Sequence, residues 1–265
     1  MKYFDAHCHI QFDKYAEDRG EVLKKMEEQE VGGIIVGVDM KSSREAVELV
    51  QGHDNFYASV GLHPNDTPEE VFDEAGFRNL AADPKVVSIG ECGLDYFRPA
   101  DTSEEAKQKQ KEVFSKQIKI AAELEKPLMI HARPSKGTVD AYEDLIQMLT
   151  EAKKEHGEKL TGNIHFFVGG VEEAKKLFAL GFTTSYTAVL TFTTDYDAPV
   201  ASAPLNMLLS ETDSPYIAPA SRRGQRNDPL AVIEVVSAIA RIRGEEVEVV
   251  RETLLENARR VFKLA

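Results

Sequence analysis

Two histidines and an aspartate stand at alternate positions near the start of the chain, in the run FDAHCHI at residues 4–10. Because successive side chains of a β-strand point to opposite faces, a strand here would bring Asp5, His7 and His9 to one face. Two imidazoles on one face are suitable ligands for a transition metal. Cys8 would point to the other face, where we expect it to pack as a small apolar residue.

Four more residues of ligand type follow short apolar runs further along the chain: Glu91, His131, His165 and Asp213. Taken singly, a histidine in an apolar strand is more often a hydrogen-bonded core residue than a ligand. A carboxylate at the end of a run as apolar as VVSIGE does not fit that reading, since its burial is costly unless it is paired or bound to metal. The set as a whole therefore favours a metal site.

Six candidate ligands are too many for one catalytic Zn²⁺, which has to keep an open coordination position. We therefore expect two divalent ions that share a bridging Glu91, with the other ligands divided into two groups: His7, His9 and Asp213 at one ion, and His131 and His165 at the other. Mixed imidazole and carboxylate ligands suit Zn²⁺, Mn²⁺ or Co²⁺, and a loosely held Mg²⁺ is the alternative. Two such ions would lower the pKa of a bound water, and Asp213 is the candidate acceptor of its proton.

The elements that would position these residues alternate regularly between β-rich runs and helical patterns. Eight strands are predicted, at residues 3–10, 32–38, 56–62, 86–91, 127–132, 163–168, 182–187 and 206–213. Helical stretches such as SREAVELVQ and DAYEDLIQMLTEAKK separate them. This alternation predicts a parallel α/β fold, the (β/α)8 TIM barrel of the metal-dependent hydrolase type, as one domain over residues 1–265. A doubly wound open sheet is the rival, but no Gly-rich phosphate loop follows the first strand.

The candidate ligands fall at or just after the carboxyl ends of the predicted strands, apart from His165, which lies within the sixth. In a (β/α)8 barrel those carboxyl ends meet at one mouth, where active sites lie. His63 follows the third strand and joins the same group, whereas only His53 and His156 fall in helix-to-strand connections. The barrel prediction and the metal prediction therefore support each other.

Composition narrows the class of protein. The formal net charge of −13 argues against a protein that coats nucleic acid through bulk electrostatics, but it permits a local, metal-rich cleft. Two cysteines give no disulfide framework, which indicates a reducing, cytoplasmic setting. No signal-peptide layout and no apolar run of membrane-spanning length are present. We expect a soluble protein that contacts no membrane and needs no obligate protein partner.

Seven short motifs, in order along the chain, resemble those of the TatD family of metal-dependent deoxyribonucleases: DAHCHI (5–10), GLHP (61–64), GECGLDY (90–96), HAR (131–133), ETDSPY (211–216), RGQRNDP (223–229) and ENARRVF (256–262). The resemblance implies a TIM barrel with a one- or two-metal site that hydrolyses phosphodiesters in DNA, often from the 3′ end. It also implies the same six metal ligands. Two positions depart from the family pattern, Val168 where a polar residue is usual and Ala188 where Gly is frequent, and both bear on substrate preference.

Substrate contacts are predicted from residues beside the ligands. Arg133, two residues after His131, is placed to hold a phosphate by paired hydrogen bonds. His63 would either do the same or have a structural role in the GLHP turn. Tyr96 would stack on a base or pack its loop, and Arg223 would clamp the backbone or belong to an ordinary loop. Asp5 is assigned to support of a metal ligand from behind.

Two other functions remain open from the residues alone. One is an amidohydrolase-like enzyme on the same barrel that hydrolyses a small amide, ester or lactone. Many such enzymes bridge their metals with a carboxylated lysine, whereas the fourth strand here ends in Glu91, which favours the phosphodiesterase. The other is a non-catalytic metal- or partner-binding protein, which six convergent ligands argue against. Cys92 has no evident base beside it, so a thiol nucleophile is rejected.

Overall fold

Eight strands form one parallel sheet whose spatial order is the chain order. The computed structural model describes residues 1–66, 71–99 and 103–264. The strands are β1 (Tyr3–Cys8), β2 (Val31–Val36), β3 (Phe56–Val60), β4 (Val86–Asp95), β5 (Leu128–Arg133), β6 (Gly162–His165), β7 (Phe182–Tyr186) and β8 (Leu208–Ser210). Each pairs in parallel with the next one along the chain.

The sheet closes on itself between its last and first strands. Cys8 and Ser214 form an isolated parallel bridge. The His9 N–H donates to the Ser214 carbonyl at 2.8 Å, and the Asp213 N–H donates to the His7 carbonyl at 2.9 Å. The predicted (β/α)8 barrel is therefore confirmed, and an open sheet is excluded.

Helices cover the outside of this barrel. They are α1 (Arg19–Glu28), α2 (Met40–Leu49), α3 (Glu74–Ala81), α4 (Glu104–Leu124), α5 (Asp140–His156), α6 (Val171–Ala179), α7 (Asp197–Ser202), α8 (Val232–Arg243) and α9 (Val247–Phe262). Several begin at side chains that accept hydrogen bonds from otherwise unpaired N–H groups, such as Asp39 before α2 and Ser103 before α4. None of the helices in the described ranges combines the length and apolarity needed to cross a bilayer.

The apolar core has two parts. One contains inward side chains of strands on opposite sides of the barrel together with one face of α9: Phe4, Ala6, Ile34, Val36, Met129, Leu209, Leu255, Ala258 and Phe262. Because such strands can meet only through the interior, this cluster fills the barrel, and α9 closes its amino-terminal end. Asn257 on α9 donates to the carbonyls of Leu205 and Leu208, just before and at the start of β8. The larger cluster lies between the strands and the surrounding helices.

Strand β4 extends to Asp95, four residues beyond the predicted end at Glu91. Its path depends on glycine, because Gly90 and Gly93 adopt φ values of +149° and +134°. A Cβ atom at either position would collide with the carbonyl oxygen of Met129 or His131 on β5. Glu91 therefore lies inside a strand with irregular register between Ile89 and Cys92, rather than at a strand end.

Candidate metal centre

A register irregularity in β1 brings both histidines of the first motif into the mouth. Asp5 pairs with Gly33 and Cys8 with Ile35, so three steps on β1 match two on β2. The Nε2 atoms of His7 and His9 lie 3.1 Å apart as a result. The Nδ1 atom of His9 faces the Val36 carbonyl at 2.7 Å, which leaves its Nε2 free for a metal.

The same irregularity contradicts the prediction that Asp5 shares a face with His7 and His9. A Cβ atom at Gly33, the partner of Asp5, would contact both the Asp5 Cβ and Met26 on α1, so Asp5 lies on the helix side of the barrel. Its carboxylate accepts the His7 N–H at 3.2 Å, and the N–H and hydroxyl of Thr212 at 2.8 and 2.5 Å. Asp5 thus fixes the backbone beside two candidate ligands without contacting their side chains.

Cys8 packs as expected. Its side chain is fully buried in the layer between strands and helices, and its Sγ donates to the Ile34 carbonyl at 3.3 Å. Burial raises the pKa of the Cys8 thiol well above its ordinary value, and burial does the same for Cys92. Neither thiol has the environment of a reactive thiolate.

Glu91 stands at the centre of the cluster and is almost fully buried. Its carboxylate oxygens approach the ring nitrogens of five histidines: His131 at 3.1 Å, His7 at 3.3 Å, His63 at 3.4 Å, His165 at 3.6 Å and His9 at 3.8 Å. Burial alone would raise the pKa of Glu91, but the surrounding imidazoles hold it well below its ordinary value. An ionised carboxylate among imidazoles is a suitable bridge between two cations.

Ligand atoms converge in three overlapping groups within the described residues, each with its donor atoms within 4.8 Å of one another: His7, His9 and Glu91; His7, His165 and Asp213; His63, Glu91 and His131. All six predicted ligands are members of these groups. Asp213 lies with His165 as well as with His7, and the predicted division of the ligands between two ions stays a prediction. His63, predicted as a substrate contact, lines the cavity and also belongs to one of these groups.

The arrangement fits one or more divalent cations. The His7 Nδ1 atom is buried without a hydrogen-bond partner, and the His7 and His9 Nε2 atoms, 3.1 Å apart, both face the Glu91 carboxylate. Buried imidazole and carboxylate donors aimed at a common point are costly when uncompensated, and a divalent ion relieves that cost. Their mixture of nitrogen and oxygen atoms suits Zn²⁺ or Mn²⁺.

Two buried carboxylates behind the ligands were not identified from the sequence. Asp95 Oδ2 lies 3.0 Å from His131 Nε2, and its Oδ1 accepts the N–H groups of Phe97 and Arg98 at 2.9 Å. Burial opposes ionisation of Asp95, but these hydrogen bonds and His131 hold its pKa below the ordinary value. The motif GECGLDY contains Asp95, but strand alternation does not show which face this residue occupies, because β4 is irregular.

Glu211 is the second unidentified carboxylate. Its Oε1 accepts the Phe166 N–H at 2.6 Å, and its Oε2 accepts the Ser185 hydroxyl at 2.6 Å. The same Oε1 lies 3.1 Å from His165 Nδ1, within ion-pair distance although the angle is not that of a hydrogen bond. Burial alone would lower the pKa of His165, but Glu211 and Glu91 raise it to about 10. Glu211 therefore orients the His165 ring so that Nε2 faces Glu91.

A cavity of about 530 Å³ opens onto the cluster. Arg133 lies in its wall with its guanidinium 4.5 Å from the centre of the Phe97 ring, and it forms no ion pair within the described part of the chain. Burial lowers the pKa of Arg133, although not enough to discharge a guanidinium. Val168 also lines the cavity, whereas Ala188 is fully buried outside it.

Two predicted substrate contacts lie elsewhere. Tyr96 is buried in the core, and its hydroxyl donates to Asp144 on α5 at 2.8 Å, so it packs its loop and is not available to stack on a base. Arg223 lies outside the cavity wall, 3.9 Å from the centre of the Phe192 ring. The aromatic side chains that do line the cavity include Phe97 and Tyr216.

Comparison with known proteins identifies the family. A family model described as "TatD related DNase" matches residues 4–263. The uncharacterized metal-dependent hydrolase YabD of Bacillus subtilis (strain 168) is 34% identical over 265 residues, which cover 98% of this chain and 99% of YabD. The 3′-5′ ssDNA/RNA exonuclease TatD of Pectobacterium parmentieri (strain WPP163) is 32% identical over 272 residues, which cover 99% of this chain and 100% of that relative.

The solved structure of YjjV, a TatD homologue from Escherichia coli K12, has the same fold. It matches this chain with a TM-score of 0.87 at 23% sequence identity, over 100% of this chain and 99% of YjjV. The family match extends over nearly the whole chain, and it agrees with a barrel whose mouth gathers imidazoles and carboxylates around Glu91. The chain belongs to the TatD-related DNase family of metal-dependent hydrolases.

Proposed function

We propose that this protein is a deoxyribonuclease that hydrolyses the terminal phosphodiester bond at the 3′ end of a DNA strand. The proposal depends on the position of Arg133, which lies in the wall of the cavity that opens onto the cluster. This cation has no carboxylate partner in the described ranges. Such a guanidinium suits an anionic phosphate. A neutral amide or lactone carries no negative charge for the guanidinium to pair with.

Two divalent ions are proposed as cofactors, held by His7, His9, Glu91, His131, His165 and Asp213. When bound, they would supply an activated water and would neutralise charge on the phosphoryl oxygens. His63 lies close enough to Glu91 to act either as a further ligand or as a contact to the phosphate. Asp95 and Glu211 would hold the His131 and His165 rings in place.

The residues at the mouth divide the remaining work. Asp213 lines the cavity, with its Oδ1 3.5 Å from His9 Nε2, and we assign it as the acceptor of the water's proton. Arg133 would hold the phosphate. Phe97 and Tyr216, rather than Tyr96, present aromatic surface to a base in the cavity. The cavity volume of about 530 Å³ is within the range for small-molecule sites, which suits the end of a strand.

Nuclease assays test the proposal directly. Single-stranded DNA labelled at its 5′ end would be incubated with the metal-stripped protein and Mg²⁺, Mn²⁺ or Zn²⁺. We expect a ladder that shortens one nucleotide at a time from the 3′ end. Glu91→Gln and Asp213→Asn should each lower the rate by at least about 100-fold, since each removes a central carboxylate of the cluster.

Two controls make the result decisive. Glu158→Gln, a fully exposed glutamate next to α5, should leave the rate unchanged. If Glu91→Gln cuts as fast as wild type, the activity comes from a contaminant and the proposal fails. It also fails if the wild-type protein hydrolyses amides or lactones from a substrate panel but leaves DNA intact.

A further inference from the structure

Three exposed aromatic rings lie on the mouth side of the barrel, and each has a cation stacked on it. The pairs, with the distance from the cation to the ring centre, are Phe97 with Arg133 at 4.5 Å, Tyr216 with Lys14 at 4.6 Å and Phe192 with Arg223 at 3.9 Å. The rings expose 47%, 42% and 39% of their surface, and every other Phe or Tyr in the described ranges is less exposed. We call these six residues the aromatic–cation rim.

The rim is continuous with the cavity. All six residues follow the carboxyl ends of strands or end one, which places them on the mouth side of the barrel. Phe97 and Tyr216 line the cavity itself. The outer pair adjoins them, because Arg223 donates to the carbonyl of Ala218, two residues after Tyr216, at 3.5 Å. The Ala220 N–H donates to Thr191, the neighbour of Phe192, at 2.8 Å.

The rim cations have no carboxylate partners in the part of the chain that the structure describes. This holds for Lys14, Arg133 and Arg223, and also for Arg98 and Lys136 in the cavity wall. By contrast, Arg222 and Arg226 on the same loop as Arg223 form ion pairs with Asp228 and Asp18. In a chain with a net charge of −13, a group of unpaired cations at one edge points to an anionic ligand there.

We propose that the aromatic–cation rim binds unpaired nucleotides beyond the one in the cavity, so that the protein holds a single strand over several nucleotides. The inference rests on the proposed function and adds the surface along which the strand outside the cavity would lie. Exposed aromatic rings offer stacking surfaces to bases, and the cations beside them suit phosphates at matching intervals. A duplex fits poorly, since its base faces are already covered by neighbouring bases.

Binding measurements separate this inference from catalysis. Oligothymidylates of two, four, six and eight nucleotides, each with a 5′ fluorophore, would be titrated with the metal-stripped protein in EDTA, and Kd would be read from anisotropy. We expect affinity to rise with length and then to level off.

Phe192→Ala should weaken binding of the eight-nucleotide strand by about tenfold, the loss of one stacked base, with a smaller effect on two nucleotides. Arg223→Ala should reduce the slope of log K against log salt by about 0.7, the value for one phosphate of a single strand.

Matched controls come from the opposite end of the barrel. Arg259→Ala and Val249→Ala alter exposed residues of α9 and should leave the length dependence unchanged. Equal affinity for two and eight nucleotides, undetectable binding of eight, or tighter binding of a duplex of the same length would each overturn the inference. Length-dependent binding without any cleavage in the nuclease assay would instead refute the proposed function and leave the rim as a strand-binding surface.

Discussion

At the scale of single residues, the pairing of a carboxylate with an imidazole decides which ring nitrogen faces the cluster. Asp95 contacts Nε2 of His131 and leaves its Nδ1 toward Glu91, whereas Glu211 lies at Nδ1 of His165 and leaves its Nε2 toward Glu91. Such partners fix the ring orientation and increase the basicity of the ligating nitrogen. We therefore expect Asp95 and Glu211 to affect metal binding, although neither is assigned as a ligand.

We predict that Glu211→Gln and Asp95→Asn each weaken binding of Mn²⁺ by about 10–100-fold, the usual cost of removing a carboxylate behind a metal-binding histidine. Isothermal titration of the metal-stripped protein measures this effect without any substrate. Glu158→Gln and Asp54→Asn, at exposed positions away from the mouth, serve as matched controls. Affinities equal to those of wild type in both variants would show that the two carboxylates have only a structural role.

Sequence alone does not show which of two neighbouring aromatic rings is exposed at the mouth. Tyr96 and Phe97 are neighbours, and either ring is able to stack on a base. In the structure Tyr96 points into the core toward Asp144, while Phe97 is exposed beside Arg133. Strand alternation does not settle this choice after an irregular strand, because one extra residue moves every later side chain to the other face.

At the scale of elements, the loop between β5 and α5 is fastened at its far end by Asp140. The carboxylate accepts hydrogen bonds from the Ser135 N–H at 2.9 Å, the Ser135 hydroxyl at 2.7 Å and the Thr138 hydroxyl at 2.8 Å. Burial alone would raise the pKa of Asp140, but these bonds outweigh it and lower the value to about 2. Ser135 and Thr138 line the cavity, so this carboxylate keeps one wall of the mouth in shape.

Asp140→Asn should lower the free energy of unfolding by about 1 kcal/mol at pH 7, after a discount for partial exposure. The folded pKa lies below the ordinary value of 3.8, so the contribution is full above that pH and is lost as pH falls toward 2. Urea unfolding at pH 7, 5, 4 and 3 should show the difference from wild type shrinking below pH 4. A difference that stays constant across this range contradicts the assignment, and Asp54→Asn controls for a change in net charge.

The sequence predicted all eight strands, because each is a short buried run between helical patterns. It misplaced the carboxyl ends of β4, β6 and β8 by three or four residues. Glycines that usually end strands allow β4 to continue, since Gly90 and Gly93 take φ values that other residues avoid. β8 ends at Ser210, and Asp213 lies beyond it with φ of +53°. Residue spacing identified the six candidate ligands, but the lateral contacts of Asp95 and Glu211 depend on register that a one-dimensional pattern does not contain.

At the scale of the whole molecule, the mouth draws its candidate ligands from β1, β4, β5, β6 and the segment after β8. A metal bound there joins parts of the barrel that are distant in sequence. Because a ligand that binds only the folded state stabilises it, metal should stabilise the entire barrel rather than one loop.

Thermal unfolding after metal removal tests this expectation. Mn²⁺ or Zn²⁺ at about 100 times its Kd should add about 2.7 kcal/mol of stability. For a chain of this size that corresponds to a rise in Tm of roughly 5–10 °C. Glu91→Gln should lose most of the rise, since Glu91 belongs to two of the three ligand groups. An unchanged Tm with Mg²⁺, Mn²⁺ and Zn²⁺ alike would contradict a folded-state metal site.

Barrel closure also decides when the full set of candidate ligands can come together during synthesis. The hydrogen bond from the Asp213 N–H to the His7 carbonyl joins the last ligand to the first. A nascent chain that has released only its first six strands carries five of the six ligands but cannot close the ring around them. The full set of candidate ligands can therefore assemble only after residue 213 has left the ribosome, so metal binding by all six would be a property of the closed barrel and not of a shorter nascent chain.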